Sequence, residues 1–369
     1  MIIKCEKSNL LAGIQTVYKA VPSKTTMSIL ECILITANYD GITLTANDME
    51  IGIETVIEGS VVEEGIVALE ARILMEIVRK LPDSEIIINT DDNYLTSITC
   101  EKSNFNIIGK SGDDFSYLPN IEKSEPLILS QFTLKEIVRQ TIFSISDNDS
   151  NIIMTGEYLE VDGDNLKLVS LDGHRISIRN VKLKDSYNTK KVIIPGKTLN
   201  EVSKILSGDA DKDIFIYFTD KHVLFEFDST IVVSRLIEGE YFKIDQMLSN
   251  DYETKMVINK KELLNCIDRA TLLIKEGDKK PIIINIGDDN MQLKINSAVG
   301  SMNEEINIIK VGKDITIGFN PKFLIDALRV IDDEEISLYM VNPKAPCFIR
   351  NDDNSYIYLV LPVNFNTVS

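Results

Sequence analysis

The sequence predicts an α+β protein made of three tandem copies of one folding unit, and three observations carry that prediction. The first is a recurring amphipathic segment: "ARILMEIVRKL" (71–81), "GKTLNEVSKIL" (196–206) and "PKFLIDALRVI" (321–331). Leu81, Leu206 and Ile331 close these segments at a constant interval of 125 residues. Each has apolar residues at helical spacing, as in Ile77 with Leu81 or Val202 with Leu206. The second is an upstream helix in each third: "NLLAGIQTV" (9–17), "TLKEIVRQT" (133–141) and "ELLNCIDRA" (262–270), with Leu10, Leu134 and Leu263 in register. The third is composition. Ile and Val are abundant, there is no Trp, and only 10 of the 369 residues are Pro, which favours strands.

The remaining elements follow in order. Strand-like runs come after the basic-faced helices, namely "EIIINT", "IFIYFT" and "ISLYMV". Alternating runs such as "ILITANYDGITLTAND", "IVVSRLIEGEYF" and "IIINIGDDNMQLKIN" carry Gly-Asp and Asp-Asn turn signals. Boundaries are expected near "KSEPLI" (123–128) and "SNDYETK" (249–255), dividing the chain into 1–124, 125–251 and 252–369. Units of this size bury their own cores, so the period means a tandem of domains and not a short-repeat solenoid.

Composition excludes several classes of function. No run of 18 apolar residues occurs, so no helical membrane span is expected, and "MIIKCEKSNLL" does not read as a signal peptide. The five cysteines (Cys5, Cys32, Cys100, Cys266, Cys347) are scattered, odd in number and lack a CxxC, which reads as reduced core thiols and no zinc site. A net charge of −18 opposes nonspecific coating of nucleic acid, yet it leaves room for a local basic surface.

Such a surface is encoded by the repeat. Arg72, Lys197 and Lys322 occupy one repeat position, and Arg79, Lys204 and Arg329 occupy another two helical turns along. A single Lys or Arg on a polar helix face is ordinary. Basicity held at two positions through three copies, in an acidic chain, points to a shared surface for a polyanion. The upstream helices do not keep it, since Gln15, Arg139 and Asp268 correspond.

"SLDGHRIS" (170–177) gathers Asp172, His174 and Arg175 in a protein with only two histidines. A hydrolytic role for His174 would need an activated nucleophile and an orienting group, and no G-x-S-x-G elbow is present. His222 lies in "TDKHVLFEF", which reads as a turn entering a strand. "IIPGKTLNEV" imitates a phosphate loop, but Lys191 stands where that motif requires its first Gly. No catalytic residue, metal ligand set or cofactor is therefore assigned, and a hydrolase using His174 remains the alternative from another functional class.

Taken together, the three units, the basic helices, "SLDGHRIS", "RLIEGEYF", "LLAGIQTVYKAVPSKTTMSILECILI" and the C-terminal "YLVLPV" (358–363) resemble the bacterial sliding clamps, the beta subunits of DNA polymerase III. The resemblance runs from Met1 to about Val363. It implies three tandem DNA-clamp domains in a head-to-tail homodimeric ring, with helices inside and sheets outside. It further implies a cytoplasmic, non-catalytic protein that encircles double-stranded DNA without reading sequence and tethers the replicative polymerase. The clamp loader and other proteins with short clamp-binding motifs are the remaining partners implied. A scaffold of the same fold that no longer encloses DNA is a further alternative.

The resemblance also assigns residues. Lys24 in "PSKTT", with Arg72, Arg79, Lys197, Lys204, Lys322 and Arg329, would face DNA. The Asp172–Arg175 turn would form a peptide groove with the C-terminal strand, with His174 and Arg175 at its rim. Met154, Leu171, Gly173, Ile176, Phe242, Gln246, Met247, Val360, Leu361, Pro362 and Val363 complete that groove. Phe242 stands where relatives usually carry Pro, Ile152 and Ile153 where aromatics are frequent, and Gln246 and Asn364 where basic residues are frequent. The dimer contact would join Ile77, Leu81, Lys102, Phe105 and Ile107 of the first third to Leu272, Leu273, Glu304 and Glu305 of the third.

Overall fold

A computed structural model describes residues 1–115, 118–147, 150–275, 277 and 280–365. Its internal contacts divide the chain into two compact units. The first joins Met1–Thr133 to Glu201–Leu236, and the second joins Leu134–Asn200 to the chain from Ile237 onward. Six α-helices occur among the described residues: α1 (Lys7–Val17), α2 (Ala71–Lys80), α3 (Gln131–Arg139), α4 (Gly196–Ile205), α5 (Lys260–Thr271) and α6 (Pro321–Val330). These are the helices the periodicity predicts.

Local chemistry accounts for their limits. In α2, Ala71, Leu74 and Val78 turn one buried stripe inward at spacings of three and four. α6 starts on Asn320, whose side chain accepts a hydrogen bond from the Lys322 amide, with Pro321 in the first turn. Asn259 caps α5 in the same way through the Glu262 amide.

All the strand ladders are antiparallel. The first unit holds a five-stranded sheet, in the order Ser60–Glu63, Ile2–Glu6, Glu85–Thr90, Leu95–Cys100, Ser103–Ile108. It also holds an eight-stranded sheet in which Thr230–Arg235 pairs with Ile51–Ile57, so the central third of the sequence extends the sheet of the first third. Thr55 and Thr230 hydroxyls meet at 2.8 Å across that seam.

The second unit repeats the arrangement. A seven-stranded sheet contains the long strands Gly156–Leu171 and Arg175–Pro195, and Arg175–Arg179 pairs with Tyr356–Val360. A four-stranded sheet runs Ser301–Asn307, Asn290–Asn296, Ile282–Ile286, Ile315–Phe319. All five cysteines are buried and unpaired.

One core position breaks the repeat. Two residues before their helices begin, Leu69, Ile194 and Phe319 pair with Ile33, Glu157 and Ile282 respectively. All three of those partners are fully buried, and only Glu157 is ionisable. Thr141 Oγ1 lies 3.1 Å from the Glu157 carboxyl and also donates to the Ile137 carbonyl at 2.7 Å. Burial pushes the Glu157 carboxyl well above the usual carboxylate range, and the Thr141 hydrogen bond offsets only part of that rise.

Candidate functional site

The Asp172–Arg175 turn is built by one carboxylate. Asp172 Oδ1 accepts the His174 amide at 2.9 Å and the Arg175 amide at 3.1 Å, closing an Asx-type turn. Gly173 takes φ +85°, a left-handed conformation in which a side chain would be strained. The chain leaving strand Tyr356–Val360 is tied to the turn, since the Leu361 amide donates to the His174 carbonyl at 2.9 Å. Val363 then donates to the Gly318 carbonyl at 2.8 Å.

Beneath the turn lies an apolar cluster that includes Leu171, Ile176, Ile244 and Leu359, with Met154, Phe242, Tyr241 and Leu248 packed on it. Val360 is fully buried in the neighbouring core cluster. Leu361 is 36% exposed, and Pro362 and Val363 are half-buried, so the end of this strand presents aliphatic surface. Gln246 and Met247 follow Ile244 around a single 3₁₀ turn and are exposed, Met247 by 43%. Ile152 is exposed and Ile153 half-buried.

The expectation for Arg175 is corrected. Instead of standing at a rim beside His174, it is only 7% exposed. Its Nε donates to Asp172 at 2.9 Å and its Nη1 to Asp326 at 2.7 Å, while Nη2 reaches the Phe143 carbonyl. The guanidinium also lies 4.7 Å from the Phe323 ring centroid and 5.4 Å from that of Phe143. A cation is stable here because its donors are met by two carboxylates and a carbonyl. It braces the turn against α6. His174 is exposed and stacks on Phe323, with centroids 5.9 Å apart at 20°.

Phe143, Phe323 and Asp326 were missed from sequence. They sit up to 151 residues from Arg175, in segments whose only legible signal is helical periodicity.

The repeated basic residues all lie on exposed helix faces, as does Lys24 in its loop. The pattern goes further than charge alone. Arg79 pairs with Glu76 at 2.7 Å, Lys204 with Glu201 at 2.8 Å, and Arg329 with Asp268 at 3.5 Å. Each cation of that repeat position is thus held by a neighbouring acid in an exposed, weak pair that a phosphate can displace. Arg72 and Lys322 make no ion pair among the described residues.

Strand Ser103–Ile108 forms one edge of the five-stranded sheet, with Lys102 exposed beside it, Phe105 41% exposed and Ile107 half-buried. Ile108, not singled out in the sequence, is 83% exposed on the same edge. Ile77 is half-buried, whereas Leu81 is 4% exposed and belongs to its own unit's core. In the other unit Ser301–Asn307 is also an edge strand, Leu272 is 80% exposed and Leu273 packs on the core. Glu304 accepts from Arg269 Nε at 2.9 Å, which holds its carboxyl below the usual range, and Glu305 accepts from Gln292.

Comparison with known proteins matches the chain in three consecutive segments to DNA polymerase III beta subunit models: the N-terminal domain over 1–119, the central domain over 128–243 and the C-terminal domain over 245–364. The beta sliding clamp of Bacillus subtilis is 35% identical over 97% of this chain and 98% of its own. That of Staphylococcus epidermidis is 35% identical over 94% of both. A solved DNA polymerase sliding clamp from Bacillus subtilis superposes with a TM-score of 0.95 at 33% identity, covering 99% of this chain and all of that one. A solved structure from Eubacterium rectale, assigned to the same subunit, reaches 0.96 at 66% identity over 99% and 100% of the two chains. The chain belongs to the DNA polymerase III beta subunit family, the DNA sliding clamps, which act in replication as non-catalytic processivity factors.

Proposed function

We propose that two copies of this chain close head to tail into a cytoplasmic ring that encircles duplex DNA and tethers the replicative polymerase. The three domains of each protomer would run 1–124, 125–251 and 252–369. The observation that carries this reading is the basic pattern. Exposed cations recur at two repeat positions in all three thirds of a chain whose net charge is −18. Contacts of that kind neutralise phosphates without reading base edges, so the protein slides. The edge strands carrying Phe105 and Glu304 would join the protomers, which also removes two open edges. The turn at His174, with Leu361 to Val363, would hold apolar anchors of polymerase, clamp-loader and repair-protein motifs.

The test is topological. Loaded on nicked circular DNA by its clamp loader, the protein should stay bound and be lost after the circle is cut. Arg79→Glu, Lys204→Glu and Arg329→Glu combined should lower loading at low salt while peptide binding stays unchanged. Equal retention on circular and linear DNA would refute the ring.

A further inference from the structure

The first unit contains a second copy of the turn that builds the groove, written in different residues. Asp48 Oδ1 accepts the amides of Glu50 at 3.0 Å and Ile51 at 2.8 Å, as Asp172 does for His174 and Arg175. Met49 takes φ +76° where Gly173 takes +85°. Ser234 pairs with Ile51 as Val360 pairs with Arg175. The next residue then donates back to the turn in both: Arg235 to the Glu50 carbonyl at 3.0 Å, Leu361 to the His174 carbonyl at 2.9 Å.

This copy also opens beside a cavity, about 300 Å³ in volume, the size of a small ligand site. Met49, Ile51, Leu118, Pro119 and Val233 give it apolar walls. Gly52 lets Leu118 pack onto the strand, since a Cβ there would lie 1.9 Å from Leu118 Cδ2. Met49 is a non-glycine residue in left-handed backbone, yet 46% of its side chain is exposed at this wall. Such strain collects at binding sites.

The charge around the cavity differs from the groove's. Arg235 stands where the groove has Leu361; it is exposed and makes no ion pair among the described residues, Glu50 included. His222 lines the cavity, and burial together with the charges of Arg235 and Lys221 holds its imidazolium below the usual range. Glu50 also lines the cavity, without an ion pair to Arg235 or Lys221 among the described residues. The Arg235 guanidinium therefore keeps its donors available to an anion bound beside His222.

We propose that this pocket is a second peptide-docking site, taking a short partner segment whose aliphatic or aromatic anchor is followed by a carboxylate. The peptide class rests on reading the His174 groove as a peptide site; the anion preference rests on Arg235 and His222 alone.

The protein's two histidines, one at each site, make the test clean. The full-length protein is titrated with acetyl-Leu-Phe-Asp-amide while imidazole signals are followed by NMR. The expected result is a saturable shift of the His222 signals, with the His222 titration midpoint moving upward. Acetyl-Leu-Phe-Asn-amide should bind about tenfold more weakly, as losing a charged partner implies. Arg235→Glu, an exposed change, should abolish the His222 response and leave any His174 response intact. A His174 shift with unmoved His222 up to about 5 mM, where a millimolar complex is mostly formed, would overturn the pocket and keep the groove. No response at either histidine would overturn the pocket as well, and so would a His222 shift that survives Arg235→Glu. A His222 response alone would support the pocket and count against the groove.

Discussion

Ile51 and Arg175 hold the same place in two turns of the same backbone, and both are buried, at 1% and 7% exposure. One is aliphatic. The other is a cation satisfied by Asp172, Asp326 and a carbonyl. The comparison separates two jobs that a single motif performs. In both turns one aspartate accepts two amides and closes the same backbone. What the turn presents depends on the residues hung from it, which are free to change because the backbone does not need them. Glu157 makes the same point within the core, standing where Ile33 and Ile282 stand in the other repeats.

The largest break in this comparison is expected from Arg175→Ala. Removing the cation strands Asp172 and Asp326 and should cost about 3–5 kcal/mol, as for other broken buried pairs. Ile51→Ala should cost about 2–4 kcal/mol through a cavity alone. Urea midpoints compare the two, and a smaller loss for Arg175→Ala would mean the network is dispensable.

Glu157 sharpens the comparison through pH. Its folded-state pKa is raised, so its contribution is fully present below the unfolded carboxyl pKa and is lost as pH rises through the folded value. Glu157→Gln stays neutral throughout. Its stability relative to the parent should therefore climb from pH 4 to pH 8, by roughly 1–3 kcal/mol, the usual cost of a poorly solvated polar group. Thermal melts across that range should show two curves diverging upward in pH; parallel curves would mean the carboxyl titrates normally.

The smallest effects concern the third turn position. Gly173→Ala has open space around its Cβ, so only backbone strain acts, worth about 1 kcal/mol. Met49→Gly relieves similar strain but loosens the unfolded chain, and the two should cancel to within about 0.5 kcal/mol. A large gain in stability for Met49→Gly would show that the strain is kept at a cost.

Much of this was legible in the sequence. Helical periodicity located all six helices, three of them at a fixed offset, because amphipathicity is a local property written every three or four residues. The fate of Arg175 was not legible, since Asp326 and Phe143 reach it from other segments. The resemblance places Leu81 at the dimer contact, whereas its side chain is buried in its own unit's core. The Asp48 turn escaped notice for the opposite reason: "NDMEIG" folds like "LDGHRI" but lacks the glycine, histidine and arginine that make the latter conspicuous. The exposure of Phe105, Ile108 and Leu272 depends on which strand forms a sheet edge, and hydrophobic pattern alone does not encode that order.

The seam between strands Ile51–Ile57 and Thr230–Arg235 has a consequence during synthesis. Thr55 meets a partner 175 residues later in the chain. At about 5–20 residues per second the ribosome needs roughly 10–35 s to deliver it. Throughout that interval the nascent first repeat carries an unpaired ladder edge, open to any neighbouring nascent chain. Its sequence, "IGIETVI", is aliphatic except for Glu54 and Thr55. One carboxylate on that edge is then what discourages strand exchange between chains on the same message until the rightful strand arrives.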